Sequence, residues 1–241
     1  MPNEKILIVD DEKEISDLLA LFLREERFEV LTTDQALEVA DLVVKHQPAL
    51  IILDIVLPDH DGLTICRQVR QISQVPILFI SCKREDADII KALGVGGDDY
   101  MVKPFNPSQL VARVKAHLRR TYEFDHKNEK ADVLEFAGLK IDLGKRQVVA
   151  GGRDVVLSNK EYDILVALAR QPERIFSYDE LHERVWATPS MGDYRSLMVH
   201  IRHLRQKLEE DPTHPAYVQN IRGIGYSFKG KAAASGDGPL E

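Results

Sequence analysis

The stretch Ala49-Leu50-Ile51-Ile52-Leu53-Asp54-Ile55-Val56-Leu57-Pro58-Asp59-His60-Asp61-Gly62 limits what this chain can become. Five consecutive apolar residues with β-branched members predict a strand buried on both faces of a parallel sheet. The run ends in one carboxylate, Asp54, and the Pro and Gly behind it turn the chain. Asp54 therefore belongs at the strand's C-terminal tip, the edge at which open α/β sheets bind ligands. A carboxylate there is just as often a turn former or helix cap, so its meaning depends on what else reaches that edge.

The surrounding sequence alternates strand and helix patterns. Apolar strands are expected at 6–9, 30–31, 76–81 and 100–102. Between them, helical spacing joins Ile15, Leu18, Leu19 and Phe22, and again Leu110, Val114, His117 and Leu118. Five such repeats with right-handed crossovers predict an α/β fold, a doubly wound five-stranded parallel sheet covered on both faces. Its strand tips can then be read together. The first ends Asp10-Asp11-Glu12, the third Asp54, the fourth Ser81, and the fifth is followed by Lys103.

Carboxylates gathered in one pocket repel unless a cation neutralises them. Oxygen donors with room for water suit Mg2+. A Gly-rich phosphate loop is missing after the first strand, which disfavours a dinucleotide site. A lysine, a hydroxyl and a divalent cation around one aspartate instead form a cradle for a phosphoryl group carried by that aspartate.

At 241 residues, two domains are expected. No apolar run is long enough for a membrane span, and the N-terminus lacks a secretion signal, so a cytoplasmic location is expected. Cys66 and Cys82 read as small core residues. The net charge of −7 is uneven: residues 1–125 hold 15 Lys/Arg against 22 Asp/Glu, and residues 126–241 hold 17 of each. The acidic whole-chain value therefore does not argue against nucleic acid for the second half.

That half has a different grammar. Short strands at 133–136, 139–143, 147–150 and 155–157 predict a small antiparallel sheet. Ser158–Glu161 and Ser177–Glu180 read as two capping boxes opening helices. A third helix, 194–208, buries Leu197, Ile201, Leu204 and Leu208, and turns Arg195, Val199, Arg202, His203 and Gln206 the other way. A hairpin around Arg222-Gly223-Ile224-Gly225 follows. A capped helix pair, a basic helix and an arginine-tipped hairpin describe an α+β winged helix-turn-helix domain for double-stranded DNA.

Val9-Asp10-Asp11-Glu12, Asp54 with Leu57-Pro58 and Asp61-Gly62, Ser81, and Gly97-Asp98-Asp99-Tyr100 with Lys103-Pro104-Phe105 resemble the receiver domain of two-component response regulators. Arg195-Ser196-Leu197-Met198-Val199-His200-Ile201 and Arg222-Gly223 with Gly225-Tyr226 resemble the OmpR/PhoB-type effector domain. The resemblance implies a receiver at 1–121 and a DNA-binding domain at 133–229; the charged, aperiodic stretch 122–132 reads as the linker, and the low-complexity tail 230–241 is expected to be disordered. The resemblance also implies that a sensor histidine kinase phosphorylates Asp54, with Mg2+ held by Asp10, Asp11, Asp54 and the carbonyl of Val56. Lys103 would pair with the phosphoryl oxygens across a cis bond to Pro104, and Ser81 and Tyr100 would form the switch.

A homodimer would form through Asp98, Asp99, Arg113, Arg119 and Arg120, although Ile89 and Gln109 stand where relatives usually place an ion pair. Val199, Arg202 and His203 would face base edges, Arg195, His200 and Arg205 would anchor phosphates, and Arg222 would enter the minor groove. The loop 186–193 is the expected contact with RNA polymerase. A hydrolase using Asp54 as nucleophile would need a general acid and a substrate pocket, which the sequence does not offer. A constitutive DNA binder with a vestigial receiver is the remaining alternative, opposed by the intact Asp10, Asp11, Asp54 and Lys103 set.

Overall fold

The computed structural model describes residues 4–58, 60–125, 133–190 and 192–230, with the backbone alone for 119–125. Linker residues 126–132, the tail from 231 onward and the side chains of Arg119 and Arg120 lie outside the described residues.

The first domain is the expected parallel sheet. Strands β1 (Lys5–Val9), β2 (Glu29–Thr33), β3 (Leu50–Asp54), β4 (Ile77–Ser81) and β5 (Asp99–Val102) lie in the order β2-β1-β3-β4-β5. Strand alternation divides the core in two. Ile6, Ile8, Ile52 and Ile80 pack under helices α1 (Lys13–Glu25) and α5 (Pro107–Asp125). Leu7, Val9, Leu53 and Phe79 face α2 (Val39–His46), α3 (Gly62–Ile72) and α4 (Asp86–Gly94). Helix α5 continues to Asp125, past the expected domain boundary at 121.

Behind β3 the chain folds back on itself. Gly62 donates its N–H to the Ile55 carbonyl, and a Cβ on Gly62 would stand 2.1 Å from the Asp54 carbonyl oxygen. Only glycine permits that approach. Asp61 caps α3 by accepting from the Leu63 N–H. The Lys103–Pro104 bond is cis, as the resemblance implied.

The second domain begins with an antiparallel sheet, β6 (Val133–Phe136), β7 (Leu139–Asp142), β8 (Gln147–Ala150) and β9 (Arg153–Asp154). The fourth strand sits earlier than the expected 155–157. Gly151 and Gly152, both with positive φ, make a two-residue turn, so pairing resumes at once with Arg153 opposite Ala150. Then follow α6 (Asn159–Ala169), β10 (Ile175–Ser177), α7 (Tyr178–Trp186), α8 (Arg195–Leu208) and the hairpin β11 (Val218–Ile221) and β12 (Gly225–Phe228). Strand β10 joins that hairpin in a three-stranded sheet.

The first capping box closes both ways between Ser158 and Glu161. The second closes one way only, because Glu180 turns its carboxylate to Arg174. Helices α6, α7 and α8 share one core around Trp186, Leu197, Ile201 and Leu204.

The two domains touch. Val199 of α8 belongs to the apolar cluster of α3, α4 and β5 in the first domain. The His203 ring lies over Gly94, and the Asn159 side chain donates to the Gln74 carbonyl.

Candidate functional site

Four strand tips deliver their side chains into one notch. Lys103 sits at its centre, its Nζ 2.6 Å from Asp54 Oδ2, 2.9 Å from Asp10 Oδ2 and 2.8 Å from Glu12 Oε1. Asp54 and Asp10 are 3% and 2% exposed. The other Asp54 oxygen accepts the Val56 N–H at 2.9 Å. Burial works against the Lys103 ammonium, but the hydrogen bonds to Asp54, Glu12 and Asp10 outweigh it and raise its pKa. Burial also pushes the Asp10 carboxyl upward, with Lys103 only partly countering it.

The sequence assigned the third carboxylate to Asp11. In this structure Asp11 is exposed and lines a neighbouring cavity of about 200 Å³ with Asp34 and His60. Glu12 is the residue that joins Asp10 and Asp54, with ligand atoms within 4.8 Å of one another. Three carboxylates against one ammonium leave the notch two charges negative, a deficit that fits one divalent cation.

Ser81 is fully buried at the rim, where its Oγ accepts the Lys83 N–H. Tyr100 is turned inward, its hydroxyl donating 2.8 Å to the Lys83 carbonyl. Burial raises the Tyr100 phenol pKa, and a hydrogen bond with Ser81 partly offsets this. Of the cysteines, Cys66 is buried as expected, whereas Cys82 beside Ser81 is exposed.

Comparison with known proteins agrees with this geometry. Residues 6–115 match the response regulator receiver domain, and residues 152–228 match the C-terminal domain of transcriptional regulatory proteins. DNA-binding response regulator MtrA of Mycobacterium tuberculosis is 38% identical over 224 residues, covering 93% of this chain and 96% of that protein. This chain belongs to the two-component response regulators. Transcriptional regulatory protein YvrH of Bacillus subtilis is 37% identical over 229 residues, covering 95% of the regulator and 96% of its own length.

Among solved structures, response regulator DrrB of Thermotoga maritima, an OmpR/PhoB homologue, is 31% identical with a TM-score of 0.50, covering 95% of the regulator and 100% of its own chain. A RitR mutant at 23% identity shares the fold, with a TM-score of 0.74 over 94% of the regulator and 99% of that chain. The family is one of transcription factors, built to receive a signal from a kinase and to act on DNA. Among the described residues, no helix is long and apolar enough to cross a membrane.

The effector surface differs from its helical-wheel reading. Arg202 and the wing residue Arg222 are exposed. Val199, placed on the open face by periodicity, is 6% exposed because the receiver covers it. His200 is 1% exposed and its Nε2 lies 3.3 Å from the Asp98 carbonyl. His203 is half-buried against α4. Arg195 pairs with Asp193 and reaches Asp86 of the receiver at 3.5 Å. Arg205 donates twice to the Val218 carbonyl, bracing β11 rather than pointing outward.

Three of the residues expected at a dimer face, Asp98, Asp99 and Arg113, have partners within the chain. Asp98 is buried and bonds Arg70 at 2.8 Å and the Ile77 N–H at 2.9 Å. Asp99 is fully buried and bonds Arg113 at 2.6 Å. Burial would raise the Asp99 carboxyl pKa, but Arg113 and His117 hold it far below the ordinary range. Spacing alone could not distinguish exposed acids from acids matched by an arginine 28 residues away.

Proposed function

We propose that a sensor histidine kinase transfers a phosphoryl group to Asp54, and that the transfer releases α8 to bind promoter DNA as a homodimer. One observation carries the reading: the face of α4 and β5 beside the phosphoryl notch is the face that α8 covers. Tyr100 stands between the two. It is bonded to the Lys83 carbonyl next to Ser81 and lines an interdomain cavity of about 200 Å³ with Arg195 and Ser196.

An Asp54 carboxylate oxygen attacks phosphorus, the P–N bond of the kinase phosphohistidine breaks, and the imidazole departs with the electron pair. Lys103 draws in the transferring oxygens. Asp10, Glu12 and Asp54 would hold Mg2+, with Asp11 and the Val56 carbonyl as the further oxygens that the resemblance implies. The metal supplies positive charge to the phosphoryl oxygens when bound.

Phosphorylation adds about −1.5 to −2 charges and three acceptors at Asp54. Lys103 and Ser81 then move toward the new oxygens, and the shift reaches Tyr100 and the cavity wall that includes Arg195. Once released, Val199, Arg202 and His203 would face base edges. Arg195, His200 and Arg205 would meet phosphates, Arg222 the minor groove, and the loop 186–193 RNA polymerase. Arg113, Arg119 and Arg120, with Asp98 and Asp99, would serve the dimer face uncovered by the same movement. The protein would work in the cytoplasm, where kinase and promoter are both reached. A constitutive DNA binder fits poorly with a covered recognition helix.

Acetyl phosphate with Mg2+ should add one phosphoryl group to the intact protein, read by mass spectrometry. Asp54→Ala should abolish it. Labelling that persists in Asp54→Ala would refute the assignment.

A further inference from the structure

Beyond the phosphoryl notch, the seam between the domains contains an unusual set of groups. His117 of α5, His182 of α7 and His200 of α8 are all buried there, near Lys160 of α6. We propose that this seam is an acid-sensitive latch: proton uptake by His200 separates α8 from the receiver without any phosphoryl group.

The geometry of His200 admits one neutral form. Its Nε2–H donates to the Asp98 carbonyl at 3.3 Å, and its Nδ1 is buried with no hydrogen-bond partner among the described residues. A second proton would create a buried cation whose new donor has no acceptor. The nearby acids are already matched, and the attraction of Asp99 offsets burial only in part. From α6, the buried Lys160 ammonium donates to the Val185 carbonyl and stands 5.1 Å over the Trp186 ring. That ring is itself 5.8 Å from the His200 ring. From α7, His182 stacks on Trp186 and its Nδ1 contacts the Thr188 carbonyl. Next to β5, the Asp98 carboxylate is matched by Arg70, and on β5 Asp99 is matched by Arg113, with His117 at 3.6 Å. Along α8 itself, His203 lies one turn further on and its charge also opposes a proton on His200.

Burial first, then the charges of Lys160 and His203, depress the His200 imidazole to about 3. His117 and His182 are also lowered, chiefly by burial. The closed form thus binds fewer protons than the open form. The stability of closure is complete above the ordinary imidazole value of 6.5 and declines as pH falls from there toward about 3. One such histidine raises the open-to-closed ratio roughly tenfold between pH 7.5 and about pH 5.5.

The test uses the intact, unphosphorylated chain without magnesium, so its outcome is independent of the chemistry at Asp54. Small-angle X-ray scattering at constant ionic strength reads domain separation across that pH range. The wild-type chain should expand as pH falls. His200→Gln, whose amide keeps a donor for the Asp98 carbonyl but takes up no proton, should show a markedly smaller response. His214→Gln, altering an exposed histidine, should keep it. Equal responses in wild type and His200→Gln, or no wild-type expansion by about pH 5, would overturn the proposal. If His200→Gln does not fold, imidazole 15N shifts of the wild-type chain decide. His200 must gain its proton in step with expansion, and protonation within the closed form, or a neutral ring in the open one, overturns the latch.

Discussion

The phosphoryl notch and the interdomain seam are both buried, polar and built around a charged side chain, yet they are stabilised differently. In the notch the polar groups meet one another: Lys103 touches Asp54, Asp10 and Glu12, and the imbalance is an excess of acid. In the seam the arginine–carboxylate pairs are already complete, and the surplus is basic. A surplus of acid invites a cation and a surplus of base resists one. The same regulator therefore has one site that binds positive charge and one that positive charge would split.

The largest test of this contrast removes the notch's cation. Lys103→Met leaves the buried carboxylates of Asp10 and Asp54 without their counter-charge, which costs about 3–5 kcal/mol. Denaturant unfolding of the receiver, followed with and without Mg2+, should show that loss and its recovery as the metal binds the folded state. A loss that Mg2+ leaves unchanged would mean the notch does not accept a divalent ion in place of lysine.

The two regions also differed in how far the sequence disclosed them. The notch is dictated by topology: strand tips in a doubly wound sheet converge, so Asp10, Asp54, Ser81 and Lys103 could be brought together from apolar runs and turns alone. Sequence reasoning did not bring in Glu12, because a one-residue change of direction around a turn decides which carboxylate reaches Lys103. The seam has no such rule. Amphipathic spacing assigned Val199 to the open side of α8, and within its own domain that is where it lies. What covers it is α4, more than a hundred residues earlier in the chain, and no local pattern records that contact. The intrachain partners of Asp98 and Asp99 escape local pattern for the same reason, since Arg70 and Arg113 reach them through the tertiary fold.

A second experiment breaks the seam from the apolar side. Val199→Asp places a carboxylate in the apolar cluster formed with α4 and β5. An unpaired charge there should cost closure on the order of 3 kcal/mol, enough to make the open form predominate at neutral pH. Scattering is the appropriate readout, because Val199 is also a proposed DNA contact. Separate melting of the two domains should be preserved, since Val199 belongs to neither core in the open chain.

The smallest effect is expected at the exposed ion pair between Arg195 and Asp86, which crosses the seam. Arg195 and Asp86 are 3.5 Å apart, with 40% and 74% of their side chains exposed, and Arg195 is already held by Asp193 at 2.8 Å. Exposed pairs contribute about 0–1 kcal/mol and weaken with salt. Asp86→Asn should therefore raise the open-to-closed ratio by no more than about fivefold at low salt, with less effect as ionic strength rises. A much larger change would relocate the closing force from the buried contacts of Val199 and His200 to charge on the surface. Closure would then be as salt-sensitive as DNA binding itself. Only if the change is small does the regulator keep its domains together under the ionic conditions in which it must also read a promoter.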